Sequence, residues 1–267
     1  MLLGIDHLVI ACADPDAAAV DLEREVGLRP SGGGRHDALG TFNRLVWLGD
    51  TYLELIGVFD RGLAERSWIG APTVRALDAG GGLATWAVAT DDMEGDVLRL
   101  NAGGALLPEP IAGERQRPDG AVVRWRLSAP RDLGPERPPF LIEHDPTGAE
   151  WSPDERVARA NERHPVGGAV RLETLELSIS DAPATIAALM RTVWIGPFRP
   201  SLVGGGSRDA AVGTQTLRLK PHRMMAPGLA MRPAATWPVA TIHLRAGSPT
   251  EPRTAELLGC RFVLRSA

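Results

Sequence analysis

Cysteine is nearly absent from this chain of 267 residues, which has only Cys12 and Cys260. One falls in a predicted strand and the other near the C-terminus, so neither a disulfide framework nor a thiolate metal site is expected, and a reducing cytoplasm is the expected location. A basic excess is lacking too. The formal net charge is -4 and the pI about 5.9, and no Lys/Arg cluster is interleaved with aromatics, which excludes nucleic acid as an expected partner. No run of apolar residues is long enough for a membrane span. The start, Met1-Leu2-Leu3-Gly4-Ile5-Asp6-His7, carries an early charge and no basic leader, so no signal peptide is expected. Gly32, Gly33 and Gly34 are followed by neither a GxGxxG pattern nor the Lys-Ser/Thr of a phosphate loop, so no nucleotide cofactor is expected. What remains is an ordinary globular composition, 44% hydrophobic and 23% charged, sufficient for one large or two modest domains.

What is present is a weak internal repeat. The segment from Ile5 to Asp14 lines up with Leu83 to Asp92, 78 residues later, and the same offset pairs Trp47 with Trp125. A unit that is built twice and cannot close its own core packs against its copy, and the seam between copies is where a site is expected. Residues 4–12 read as a buried strand. Asp14 suits a helix N-cap and Pro15 the first helical position, with Ala18, Leu22 and Val26 as an apolar stripe and Gly27 as a stop. Residues 44–48 and 52–58 read as strands joined at Gly49-Asp50. The second unit repeats this order with a strand at 82–90, a helix at 92–101 and strands at 122–127 and 140–143. An 11-residue lengthening at 128–139 would bring Glu143 into the place of Glu54. Beyond a charged stretch at 154–163, a strand at 172–180, a helix at 182–193 and a strand at 215–219 are expected. A shortened strand and helix follow at 241–246 and 254–264. Gly204, Gly205 and Gly206 read as a loop, and Met224-Met225 as adaptable packing.

Strand-helix-strand-strand units with His7 near the start and Glu54 in the last strand resemble the vicinal oxygen chelate superfamily, in particular its glyoxalase-like branch. The resemblance covers residues 4–146 well and the remainder loosely. It implies an α+β fold of paired βαβββ modules whose curled, cup-shaped mixed sheets form two domains, the second degenerate. The modules would span 4–60 and 82–146 within a domain at 1–150, followed by a linker at 151–170 and the degenerate domain at 171–267. It also implies a divalent metal held by the first and last strands of each module, which are the positions of His7, Glu54, Thr85 and Glu143. Threonine is a poor neutral ligand, so the expected set is His7, Glu54 and Glu143. Mn²⁺, Fe²⁺, Mg²⁺ or Ni²⁺ suits such a set, and Zn²⁺ stays open. The two-histidine, one-carboxylate triad of the family's ring-cleaving dioxygenases is not matched, which places proton transfer ahead of oxygen activation.

A cation on two adjacent substrate oxygens would stabilise an enediolate while Glu54 or Glu143, the expected catalytic carboxylates, moves the proton. Glu54 is hard to read as structural, because a charge flanked by apolar strand residues is costly unless paired or coordinating. His7, by contrast, would pass for an ordinary core histidine without the resemblance. The stretches Gly33-Gly34-Arg35-His36 and Gly40-Thr41-Phe42-Asn43 resemble loops of the glyoxalase-like branch, with Phe42 where a second histidine is usual. They read equally as a flexible hairpin or as substrate contacts through Arg35, His36 and Asn43, joined by Thr85 and Trp86. Glu176 and His243 hold the His7 position in the degenerate units, with Arg218 where a carboxylate would be needed. That half is expected to serve structure, dimerisation or ligand contact. The expected function is a metal-dependent lyase, isomerase or epimerase acting on a small carbonyl or hydroxy-acid substrate. The alternatives are a metal-free protein that binds or sequesters a small molecule, and a structural homodimer.

Overall fold

A computed structural model describes residues 1–117, 119–222 and 239–267; Met224 and Met225 lie outside the described residues. The first strand, β1 (Leu2–Ala11), is followed by α1 (Pro15–Val26), whose Asp14 side chain accepts from the Asp16 and Ala17 amides and whose end is turned by left-handed Gly27. Strands β2 (Gly33–His36), β3 (Thr41–Leu48) and β4 (Thr51–Val58) complete the first module. The second consists of β5 (Gly82–Thr90), α4 (Met93–Ala102), β6 (Ile111–Gln116), β7 (Val122–Ser128) and β8 (Phe140–His144). Between them lie two helices absent from the sequence reading, α2 (Arg61–Ala64) and α3 (Gly70–Asp78). The eight strands form one sheet in the order β2-β3-β4-β1-β5-β8-β7-β6. In it β1 runs parallel to β4 and antiparallel to β5, while β5 runs parallel to β8. The sheet curls until its edge strands β2 and β6 approach each other, so the cup is nearly a barrel.

After α5 (Pro153–Ala160) the chain builds a second sheet from β9 (Val170–Ile179), β10 (Arg199–Pro200), β11 (Arg208–Val212), β12 (Gln215–Pro221), β13 (Ala240–Ala246), β14 (Arg253–Leu257) and β15 (Cys260–Arg265). Its order, β10-β11-β12-β9-β13-β15-β14, repeats that of the first sheet with one edge strand fewer. Helix α6 (Ala182–Val193) accompanies the first of these units. The helix expected within 254–264 is instead the hairpin of β14 and β15. Leu258 and Gly259 between them both have positive φ, at 52° and 65°, which is the two-residue turn that matches strand twist.

The two sheets share one core. Leu8, Ile10, Leu53 and Trp86 from the first sheet and Leu175, Leu217, Ile242 and Phe262 from the second belong to one buried cluster. Leu22, Val97, Leu100 and Leu189 of the intervening helices are part of it. Burial of each such side chain contributes roughly 1.5–3 kcal/mol, so this layer is what joins the two cups back to back. The segment between the sheets is tied down as well. His164 Nδ1 accepts from the Arg29 amide at 3.0 Å, so its Nε2 carries the proton and donates to the Trp47 carbonyl at 2.9 Å. The Arg159 guanidinium lies over the rings of Trp47 and Trp151 at 4.2 and 4.6 Å. Among the described residues no helix is long and apolar enough to cross a membrane.

Candidate functional site

The concave face of the first sheet is lined with alternating apolar and polar side chains, and part of it is filled. Helix α3 packs on β1, β4 and β5, burying Val9, Ala11, Ile56 and Ala87 beneath Ile69, Ala76 and Leu77. The space left beside it is walled by His7, Asn43, Glu54, Arg115, His144 and Glu150, and by the rings of Tyr52, Trp68, Trp125, Phe140 and Trp151. The room inside is small, about 60 Å³ for the centre of a water molecule.

A β-bulge shapes the polar wall. Neighbouring strand residues ordinarily point to opposite faces, but the register of β1 against β5 shifts between Ile5 and His7, and such a shift re-aims a side chain. Asp6 and His7 therefore meet, with His7 Nδ1 2.6 Å from Asp6 Oδ1. The same carboxylate lies 3.1 and 3.2 Å from His144 Nε2 at the end of β8. Burial alone would raise the Asp6 carboxyl; the His144 and His7 imidazoles outweigh it and hold the group well below the usual carboxylate range. An ionised carboxylate only accepts, so Nδ1 of His7 donates to it. The other ring nitrogen, Nε2, then faces Glu54 Oε2 at 3.6 Å. Glu54 is oriented in turn. Its Oε1 accepts from Asn43 Nδ2 at 2.6 Å, and Asn43 Oδ1 accepts from the Gly34 amide at 2.8 Å, which settles which way the amide points. Stacking completes the support: His7 lies on Tyr52 with centroids 4.5 Å apart, and His144 lies on Trp151 at 3.7 Å.

Of the residues singled out in the sequence, the structure brings His7, Glu54, Asn43 and His36 to this cavity. Glu143 is not among them. Along β8 it is Phe140, Ile142 and His144 that line the cavity, and Glu143 points to the other face of the sheet, where partial burial and then Glu94 raise its carboxyl. Trp86 likewise belongs to the core between the sheets and is fully buried there. Arg35 faces outward, bonded to Asp37 at 3.1 Å and stacked over Phe59. Thr85 pairs with Val9, is fully buried, and its hydroxyl has no hydrogen-bond partner among the described residues. The glycines at 33 and 34 form strand β2 and serve the sheet's closure. A Cβ on Gly33 would lie 2.3 Å from the Asn43 carbonyl oxygen. Asp6, His144, Arg115 and Glu150 were missed; an acidic residue beside a strand histidine was the one available signal.

The same pairings decide whether the residues fit a divalent metal. Val9 stands opposite Glu54 across β1 and β4, and its repeat partner Ala87 stands opposite Phe140 across β5 and β8. Phe140, three residues before Glu143, is therefore the counterpart of Glu54. The second module offers the enclosed hydroxyl of Thr85 and a phenyl ring where a metal would need two donors. The first module's donors are already engaged, His7 by Asp6 and Glu54 by Asn43. Among the described residues no group of three His, Cys, Asp or Glu side chains has the spacing to hold an ion. The expected set of His7, Glu54 and Glu143 does not assemble, and the site does not fit the metal.

Residues 5–193 match the family model described as a glyoxalase-like domain. The chain belongs to that family. Its fold is shared over the full length of both chains by a hypothetical protein from Staphylococcus aureus, at 16% identity and a TM-score of 0.77. A methylmalonyl-CoA epimerase from Streptomyces coelicolor is 21% identical over 54% of this chain and 98% of its own, with a TM-score of 0.41. The corresponding enzyme from Mycobacterium tuberculosis is 22% identical over 54% of this chain and 89% of its own, also at 0.41. No curated protein matches the sequence.

Proposed function

We propose that this glyoxalase-like protein is an enzyme of the lyase, isomerase or epimerase kind, which moves a proton on a compact carbonyl or hydroxy-acid substrate through Glu54 and His7. The observation that carries this reading is the pair itself. A carboxylate and the free nitrogen of an imidazole lie 3.6 Å apart on a cavity wall, each oriented from behind by a second polar group. When the pair holds one proton on Nε2, the carboxylate takes a proton from carbon while Nε2 donates to the adjacent oxygen, the two-site arrangement that enolisation requires. Asp6 holds the His7 ring in one tautomer and stabilises the imidazolium when it forms. The enclosing aromatic rings exclude water and strengthen both electrostatic effects.

The test is solvent exchange. Small 2-oxo and 2-hydroxy acids and uncharged carbonyl compounds are incubated with the protein in D₂O, and loss of the C–H resonance is followed by NMR. Protein-dependent exchange is expected for at least one compound, and Glu54→Gln is expected to slow it about 10²–10⁴-fold with the circular dichroism spectrum unchanged. Exchange that survives Glu54→Gln would sink the assignment. A second reading, sequestration of a small molecule without turnover, draws on the five aromatic rings of the wall; ligand binding with no exchange in any compound is its signature.

A further inference from the structure

The cavity contains one cationic side chain that the proton-transfer reading does not use. Arg115 of β6 lies on the wall with its side chain 5% exposed, and its Nη2 donates to both oxygens of Glu150 at 2.8 and 2.7 Å. Nη1 adds a longer bond to the Gly33 carbonyl at 3.3 Å. Glu150 belongs to the irregular segment between β8 and α5, and its backbone has φ of 69°, a region that residues other than glycine seldom occupy. Its position is equally distinctive. Beyond the Arg115–Glu150 pair opens a wider recess of about 580 Å³ bordered by Ser31, Gly32, Arg117 and Glu155. Among the described residues Glu150 alone borders both the recess and the inner cavity.

We propose that Arg115 is the seat of a substrate carboxylate and that Glu150 is a displaceable internal stand-in for it, standing at the door between the outer recess and the inner cavity. This rests on the reading of the cavity as a substrate site and narrows the substrate to an anionic, carboxylate-bearing molecule. Three points carry it. The inner space, about 60 Å³ for the centre of a water molecule, is about a tenth of the outer recess, so moving a wall group enlarges the room a substrate has. A buried guanidinium cannot be left without an anion, so whatever displaces Glu150 must bring its own charge. Exchange of one carboxylate for another conserves both the ion pair and the paired hydrogen bonds. Glu150 is the wall group for which such an exchange is balanced. Arg115 is also the only lysine or arginine bordering the cavity among the described residues.

The test uses propionate, with propionamide as its uncharged counterpart, titrated at neutral pH into the full-length protein. Tryptophan fluorescence is the readout, since Trp68, Trp125 and Trp151 border the cavity. Glu150→Gln is expected to bind propionate at least tenfold more tightly than the parent and to gain nothing for propionamide. Adding Arg115→Gln should abolish the gain. Equal propionate affinity in parent and Glu150→Gln, no propionate binding by Glu150→Gln, an equal gain for propionamide, or a gain that survives Arg115→Gln would each overturn the proposal. If Glu150→Gln does not fold, Glu150→Asp, one methylene too short to hold the seat, gives the same comparison. The two readings fail separately. Tight propionate binding that persists in Glu54→Gln/Glu150→Gln, with no solvent exchange in the parent, retains the seat and removes the proton-transfer reading. Exchange of uncharged carbonyl compounds with no gain in Glu150→Gln does the reverse.

Discussion

Replacing Asp6 by asparagine tests the frame on which the cavity is built. Asp6 is 2% exposed and accepts from two imidazoles, His7 at 2.6 Å and His144 at 3.1 Å. Asparagine keeps one acceptor oxygen for His7 but presents an NH₂ to His144 Nε2. That nitrogen must then give up its proton, and the proton moves to His144 Nδ1, which is buried with no partner among the described residues. Hydrogen bonds to a charged group contribute about 1.5–3 kcal/mol each, and one of the two is lost outright. The expected destabilisation is about 2–3 kcal/mol. For a chain of this size each kcal/mol lowers Tm by roughly 2–4 °C, so a fall of about 4–12 °C is expected by calorimetry or circular dichroism. The pH dependence supplies the second arm. The folded Asp6 carboxyl is depressed, so its contribution is full above the unfolded value of about 3.9 and is lost as the pH falls through and below it. The difference between parent and Asp6→Asn should therefore be larger at about pH 5 than below about pH 4, where it shrinks. A difference under about 0.5 kcal/mol at pH 7, within the range of ordinary surface substitutions, or one unchanged down to pH 3, would refute the assigned hydrogen-bond frame.

Three further outcomes follow from the same geometry. Protein dialysed against Mn²⁺, Ni²⁺ or Zn²⁺ should retain well under one equivalent by elemental analysis, with no change in the His7→Ala/Glu54→Ala double mutant; a full equivalent that disappears in the mutant would show that the donors rearrange to bind an ion. Gly33→Ala should cost about 1–3 kcal/mol in urea unfolding, because φ is 134° and the new Cβ would meet the Asn43 carbonyl oxygen at 2.3 Å; a neutral effect would mean that the β2 edge is free to shift. In the second sheet, His243 holds the Glu176 carboxyl at about 2 against the opposing effect of burial, and Lys220 adds to it. That contribution is full above the unfolded value of 4.5 and is lost as the pH falls from there toward about 2, so acid should narrow the stability difference between parent and Glu176→Gln over that interval. A constant difference would count against the ion pair.

Much of the first domain was legible in the chain because its signals are local. Asp14, Pro15 and Gly27 mark the ends of α1 through their own backbone preferences, and alternation along β1 and β4 is set by the pleat. The repeat placed β5 and α4 correctly for the same reason. His7 and Glu54 could be singled out because each is a polar residue in an apolar strand, a conflict visible in one dimension. Asn43 and His36 came from a resemblance, and the structure also brings them to the cavity.

The rest depended on contacts between distant segments. Counting along the chain makes Glu143 the counterpart of Glu54, but strand pairing puts Phe140 there and turns Glu143 to the opposite face. Side chains alternate every residue, so a three-residue error in register reverses the face and changes the chemistry. The bulge that turns Asp6 toward His7 is invisible to a period of two. Helix α3, which fills part of the cup, comes from a connecting segment with no counterpart in the repeat. Arg115 and Glu150 are 35 residues apart, and neither is unusual in its own neighbourhood; only the tertiary course of the segment after β8, back toward β6, brings them together. Caps, periodicity and repetition act over a few residues, which is why the modules and the family resemblance could be read along the chain. Tertiary structure decided which side chains share the cavity and removed the metal set, because facing and register are properties of paired strands rather than of either strand alone.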